Sequence, residues 1–127
     1  MILIGLICVA ISGAAEALMD TLQFHYDRSF FTKLKNQNFW RPDLSWKNKW
    51  KGEDPQLGER FLGSSTLFVG LTDGWHLFKL VHNLFLFIGL LIVSISLYLP
   101  LHIAISFVVA RVIFGVSFTL VFKYSKV

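Results

Sequence analysis

The sequence predicts an all-α integral membrane protein, with three transmembrane helices and a long interfacial aromatic-basic loop. Three observations carry that prediction. The chain is 54% hydrophobic over 127 residues, and a soluble domain of this size does not normally tolerate so much uninterrupted apolar sequence. Its apolar residues are gathered into long runs: Leu84–Leu99 holds no charge, and Leu101–Phe122 holds only Arg111. About 20 apolar residues in a helix are needed to cross ~30 Å of hydrocarbon, and each run approaches that length.

The first helix is expected over about residues 1–24. Ala15-Glu16-Ala17 has the small-x-small pattern of a cleavage site, but no Lys or Arg precedes the apolar stretch. An uncleaved anchor is therefore expected. Its uncharged part, Met1–Ala15, would span only ~22 Å, so the helix should continue through Glu16 and Asp20. Ala10, Gly13, Ala14 and Ala17 form a small-residue face suited to close helix packing. Ser12, Glu16 and Asp20 follow at i, i+4 and i+8 beside it, which points both carboxylates towards a neighbouring helix.

Residues 26–63 change character. Pro42, Pro55, Gly52, Gly58 and most of the charges fall here, and no long periodic stretch appears. An ordered interfacial loop is expected, with one short helix over 44–51. Trp40, Trp46 and Trp50 are its membrane-interface aromatics, interleaved with Lys33, Lys35, Arg41, Lys47, Lys49 and Lys51. Indole rings favour the headgroup layer and lysines meet phosphates there. The same tryptophans can also order the loop as a small core.

Ser64-Ser65-Thr66 offers N-caps for a second helix beginning at 64, or at 76 if Asp73-Gly74 breaks it, and ending near 99 before Pro100. The third helix is expected over 102–122. The loop and the C-terminal Lys123 and Lys126 then share one side, while the 99–101 turn has no Lys or Arg. The positive-inside rule makes that side cytoplasmic and places the N-terminus outside, in a cell membrane of bacterial inner-membrane type. The whole chain forms one domain.

Nine Lys/Arg lie between Asp20 and Lys79, diluted by seven Asp/Glu. Such a mixed face suits an anionic bilayer surface and argues against a nucleic-acid partner. The single Cys8 makes no intrachain disulfide and reads as a small buried hydrophobe. No phosphate-binding loop, nucleophile elbow or His-Glu-x-x-His motif is present.

Polar residues inside or beside the apolar runs are the candidates for chemistry, because ionisable groups near lipid persist only with partners or a purpose. Glu16, Asp20 and His25 close the first helix; Asp73 and His76 open the second, with Lys79 and Asn83 in one helical sector. The predicted topology brings both sets to the cytoplasmic side. Carboxylates with imidazoles suit zinc, manganese or iron, and Asp73-x-x-His76 is close to the Glu-x-x-His pattern of bundle di-metal sites. The competing reading is an ion-pair and hydrogen-bond network that fixes two helices. Arg111, mid-helix, calls for a carboxylate or a partner subunit.

The stretches ALMDTLQFHYDRSFF, FWRPDLSWKNKWK, GERF and STLFVGLTDGWHLFK resemble a set of uncharacterised small membrane proteins of bacterial and phage genomes. The likeness spans about residues 17–79. It implies a bacterial or phage membrane protein and carries no reaction.

The expected function is that of an assembly or interaction component with an ordered interfacial polar site. Its expected partners are the lipid bilayer and a second copy or another membrane protein. Two alternatives come from other classes. One is a metal-dependent membrane enzyme acting on a lipid-like substrate, with Glu16, Asp20, His25, Asp73 and His76 holding the ion. The other is a holin-like pore former.

Overall fold

The computed structural model describes residues 1–97 together with Ile103, Ile105 and Val108. Apart from those three helical positions, the predicted third helix lies outside the described residues, and Arg111 with it. Among the described residues the chain is all-α. Two long helices, α1 (Ile2–Phe24) and α4 (Gly74–Ser96), are joined by short 3-10 turns and two single-turn helices, α2 (Gln37–Trp40) and α3 (Pro42–Ser45). Among the described residues there is no strand, and one isolated antiparallel bridge joins Trp50 and Glu59.

Both long helices have the length and apolarity to cross a membrane; the sequence expectation named three such helices, and two are described. At 23 residues, each extends ~35 Å. Of the most apolar 18 residues in each, only 22% and 17% are buried. A core helix of a water-soluble domain would bury far more of such a surface.

The two helices pack side by side and antiparallel. Gly5 meets Gly89 and Val93, Ser12 meets His82, and Leu22 reaches Gly74. The buried positions of α1 are Gly5, Cys8, Ser12, Ala15 and Leu22, with Met19 half-buried between the last two. That alternation of threes and fours is the seam of a paired helix. Near the Met1 end the backbones touch: a Cβ on Gly89 would lie 2.8 Å from the Gly5 carbonyl oxygen and 3.0 Å from the Val9 nitrogen. Small residues at such crossings let main chains approach closely.

This seam corrects the expected one. Ala10, Gly13, Ala14 and Ala17 are exposed, and a Cβ on Gly13 would meet nothing within 4 Å among the described residues. Ser12 belongs to the buried seam, whereas Glu16 and Asp20 are exposed instead of facing α4. The two stripes lie on adjacent sides of an almost wholly apolar helix. Only the match to Gly89, His82 and Gly74 on α4 selects between them.

The connecting segment is a folded cap on one end of this pair. Phe31, only 1% exposed, is its centre. Its ring lies 4.2 Å from Phe30, 5.4 Å from Trp40 and 5.9 Å from Phe78 of α4, centroid to centroid. Phe39 meets Trp40 edge-on. Aromatic pairs in these geometries add ~0.5–1.5 kcal/mol each beyond the area they bury. Gly74 makes the docking feasible, because a Cβ there would fall 2.6 Å from the Trp40 ring.

Side-chain amides pin the cap. The Gln37 amide nitrogen donates to the carbonyls of Phe31 and Leu34 at 3.0 and 2.6 Å, while its oxygen accepts from the Tyr26 hydroxyl. Burial holds that phenol above its usual range. Asn48 uses both amide protons, one on Asn38 O at 2.6 Å and one on Thr72 O at 2.9 Å. It ties the middle of the segment to its end. The helix expected over 44–51 starts earlier and is broken: α3 opens on Pro42, passes into a 3-10 turn over Trp46–Lys49, and stops where Trp50 turns extended.

Residues 59–65 form a turn organised by one carboxylate. Glu59 accepts from the Gly63 and Ser65 amides at 2.9 and 3.1 Å and from the Ser65 hydroxyl. Gly63 sits at φ +78°, a conformation that L side chains rarely adopt. These hydrogen bonds, the Ser65 hydroxyl first, hold the Glu59 carboxyl below the usual carboxylate range. A depressed folded value stabilises the turn above the unfolded value of about 4.3, and that contribution disappears as pH falls through the lower folded value. Amide protection at Gly63 and Ser65 should therefore be high at neutral pH, fall below about pH 4, and be weakened at every pH in Glu59→Gln. Equal protection factors in parent and variant would refute this.

Candidate functional site

The polar residues that open α4 are built around its first turn. Asp73 is extended, with φ −156° and ψ 158°, and its carboxylate accepts the His76 amide at 2.8 Å. It is the N-cap of α4, and the helix begins there and not at Ser64, Ser65 or Thr66. Ser64 is instead buried in the cap segment, donating to Lys49 O at 2.7 Å.

Asp73 is 2% exposed. The His76 Nδ1 lies 2.9 and 2.7 Å from its two oxygens, and the Thr72 hydroxyl is 3.3 Å from Oδ2. A carboxylate only accepts, so Nδ1 carries the proton and donates. A neutral His76 then has its lone pair on Nε2. The ring is half-buried and meets Trp75 edge-on at 4.9 Å, while Lys79 stands 4.9 Å over the Trp75 ring. Asp73 thus spends its oxygens on the helix end and on holding an imidazole.

Of the five residues expected to gather around an ion, the structure joins Asp73 with His76. Glu16, Asp20 and His25 are exposed on α1 and its C-terminal boundary. Among the described residues no group of three or more His, Cys, Asp or Glu is arranged to hold a metal ion. The i, i+3 spacing of Asp73 and His76 serves an N-cap as well as it serves metal ligation, and the cap geometry is what the chain adopts.

The interface tryptophans divide. Trp40 packs inward against Phe31 and Phe78. Trp46 is exposed and Trp50 half-buried, with Lys47 and Lys49 each 5.8 Å from the adjacent ring.

A second polar pair was not anticipated. His82 is buried in the helix seam, its Nδ1 3.0 Å from Ser12 Oγ and 3.1 Å from Ser12 O. The carbonyl oxygen only accepts, whereas the Ser12 hydroxyl can donate to that nitrogen or accept from it. On the sequence, His82 stands opposite the Asp73–Asn83 sector and looks isolated. The legible signal was its spacing with Gly74 and Gly89, eight residues before it and seven after, which places it on the seam.

No family model, curated protein or solved structure matches this chain. The geometry offers a paired-helix stem, an aromatic cap locked to one end, and two histidines each held through Nδ1.

Proposed function

We propose that this chain is an integral membrane protein acting as an assembly or interaction component, with the cap as its contact surface. The observation that supports it most is the order of the cap. Phe31, Gln37 and Asn48 fix a segment that carries eight of the Lys and Arg residues, of which Arg28, Lys33, Lys35, Arg41, Lys51 and Arg60 are exposed. A surface ordered before contact loses less entropy on binding, which is what a docking platform needs. The hairpin spans the bilayer in this reading. The cap lies on the cytoplasmic face, following the Lys/Arg asymmetry, and its partner is a second copy or another membrane protein.

The test is cross-linking in native membranes followed by mild solubilisation and sizing. A defined homo-oligomer, or a stoichiometric membrane partner lost when Lys33, Lys35 and Arg41 are changed together to Glu, is expected. A monomer without cross-linked neighbours would overturn the proposal.

The Asp73–His76 pair favours one second reading, a metal-dependent membrane enzyme, since ligating histidines are commonly oriented by a carboxylate on the other nitrogen. Near-stoichiometric zinc, manganese or iron in gently purified protein, absent from His76→Ala, would favour that reading over the assembly role.

A further inference from the structure

We propose that residues 61–71 anchor the cap in the membrane by seating their apolar side chains at the headgroup–acyl boundary of the adjacent leaflet. The inference rests on the membrane reading above and goes beyond it by assigning a lipid contact to a segment outside the helices. No ionisable residue lies between Arg60 and Asp73. In that interval Leu62 is 90% exposed and Leu67 82%, and Phe61, Phe68 and Leu71 are exposed as well. A cluster of large apolar side chains left open on a folded surface marks a contact.

Three observations select lipid as the occupant. The segment folds back along the start of α4: a Cβ on Gly70 would stand 3.4 Å from His76 O and from the Leu80 side chain. Leu80, Leu84 and Phe87 are exposed along one stripe of α4, so the apolar surface of 67–71 runs on into the helix surface assigned to the hydrocarbon. Charge brackets the patch, with Arg60 exposed on one side and Lys79 on the other, at the level where headgroup phosphates would lie.

The backbone is prepared for such a place. Non-helical main chain tolerates the edge of the hydrocarbon only when its polar groups are paired. Arg60 N–H goes to Lys49 O and Phe61 N–H to Ser64 Oγ. Gly63 and Ser65 N–H go to Glu59, and Thr66 and Phe68 N–H to Gly63 O. Leu71 and Thr72 N–H close on Phe68 O and Val69 O. With these N–H groups paired, the main chain can stay on the headgroup side of the boundary, where the Leu62 and Leu67 amides meet water and headgroups, while the leucines and phenylalanines reach a few ångströms inward, as interfacial segments do.

The test uses nitroxide labels at Leu67→Cys and at Leu71→Cys in a Cys8→Ala background. The protein is held in bilayer nanodiscs of phosphatidylethanolamine and phosphatidylglycerol. Leu84→Cys and Asp54→Cys serve as lipid and water references. Collision with oxygen should exceed collision with a water-soluble nickel chelate at 67 and 71, as at 84, and the order should reverse at 54. Labels at 67 and 71 that behave like 54 would overturn the anchor while leaving the membrane reading intact. Shielding from both reagents would overturn it in favour of a protein covering the patch. A water-like label at 84 would overturn the membrane reading itself, and the anchor with it.

Discussion

Phe31→Ala is expected to destabilise the cap by about 3–5 kcal/mol, the range for truncating a fully buried phenylalanine. The ring is the hub of the cap: it touches Phe30 and Trp40 and bridges to Phe78 on α4, so its loss leaves a cavity bordered by aromatic rings. Trp40 would then lose one of the faces that hold it over Gly74. Limited trypsin digestion of the detergent-solubilised protein reads this directly, because Arg28, Lys33, Lys35 and Arg41 flank the cluster. Rapid cleavage there, with α1 and α4 still protected, is the expected pattern. Cleavage no faster than in the parent would show that the cluster does not order the cap.

Gly89→Leu is expected to separate the two long helices where they are closest. A Cβ at 89 falls 2.8 Å from a backbone oxygen, 3.0 Å from a backbone nitrogen and 2.8 Å from Val9 Cγ2. Backbone atoms within a helix cannot rotate away, so relief requires moving α1 as a body. Overpacking typically destabilises by ~1–3 kcal/mol, and a leucine at a main-chain contact belongs at the upper end. Disulfide cross-linking between Ser12→Cys and His82→Cys in a Cys8→Ala background, positions whose parent side chains meet at 3.0 Å, would report the separation as a lost bond. Gly13→Ala is the control. It lies on the exposed side of α1, meets nothing within 4 Å among the described residues, and should be neutral or stabilising by up to ~1 kcal/mol from helix propensity. A destabilised Gly13→Ala with a tolerant Gly89→Leu would return the packing seam to the Ala10–Ala17 stripe.

The helices themselves were legible because membrane-length apolar runs follow from composition alone. Their packing seam was not. In a helix apolar on every side, hydrophobic periodicity no longer separates inside from outside, and small residues line both Gly5–Ala15 and Ala10–Ala17. Polar outliers hold the useful information there. Ser12 and His82 mark the true seam because a buried imidazole needs a hydrogen-bond partner, and Ser12 supplies one at 3.0 Å. Asp73 shows the opposite difficulty. A carboxylate three residues before a histidine suits a metal ligand and a helix cap equally by spacing, and only the extended backbone at Asp73 distinguishes them. The hub of the cap was least legible: Phe31 and Trp40 are two aromatics among many, and what singles them out is contact with Phe78, far along the chain.

The contact between Ser12 and His82 joins positions 70 apart in sequence. Bringing two such distant points together is slow when the intervening chain is loose, because closure entropy is lost before any distant contact can form. An aromatic cap that folded first would change that order of events. With Phe31, Trp40 and Asn48 in place, the ends of α1 and α4 are already delivered to each other at Leu22 and Gly74. The rest of the seam then closes towards Gly5 and Gly89 like a zipper started at one end. The segment that presents the protein's surface would thus also set the sequence in which its helices find each other.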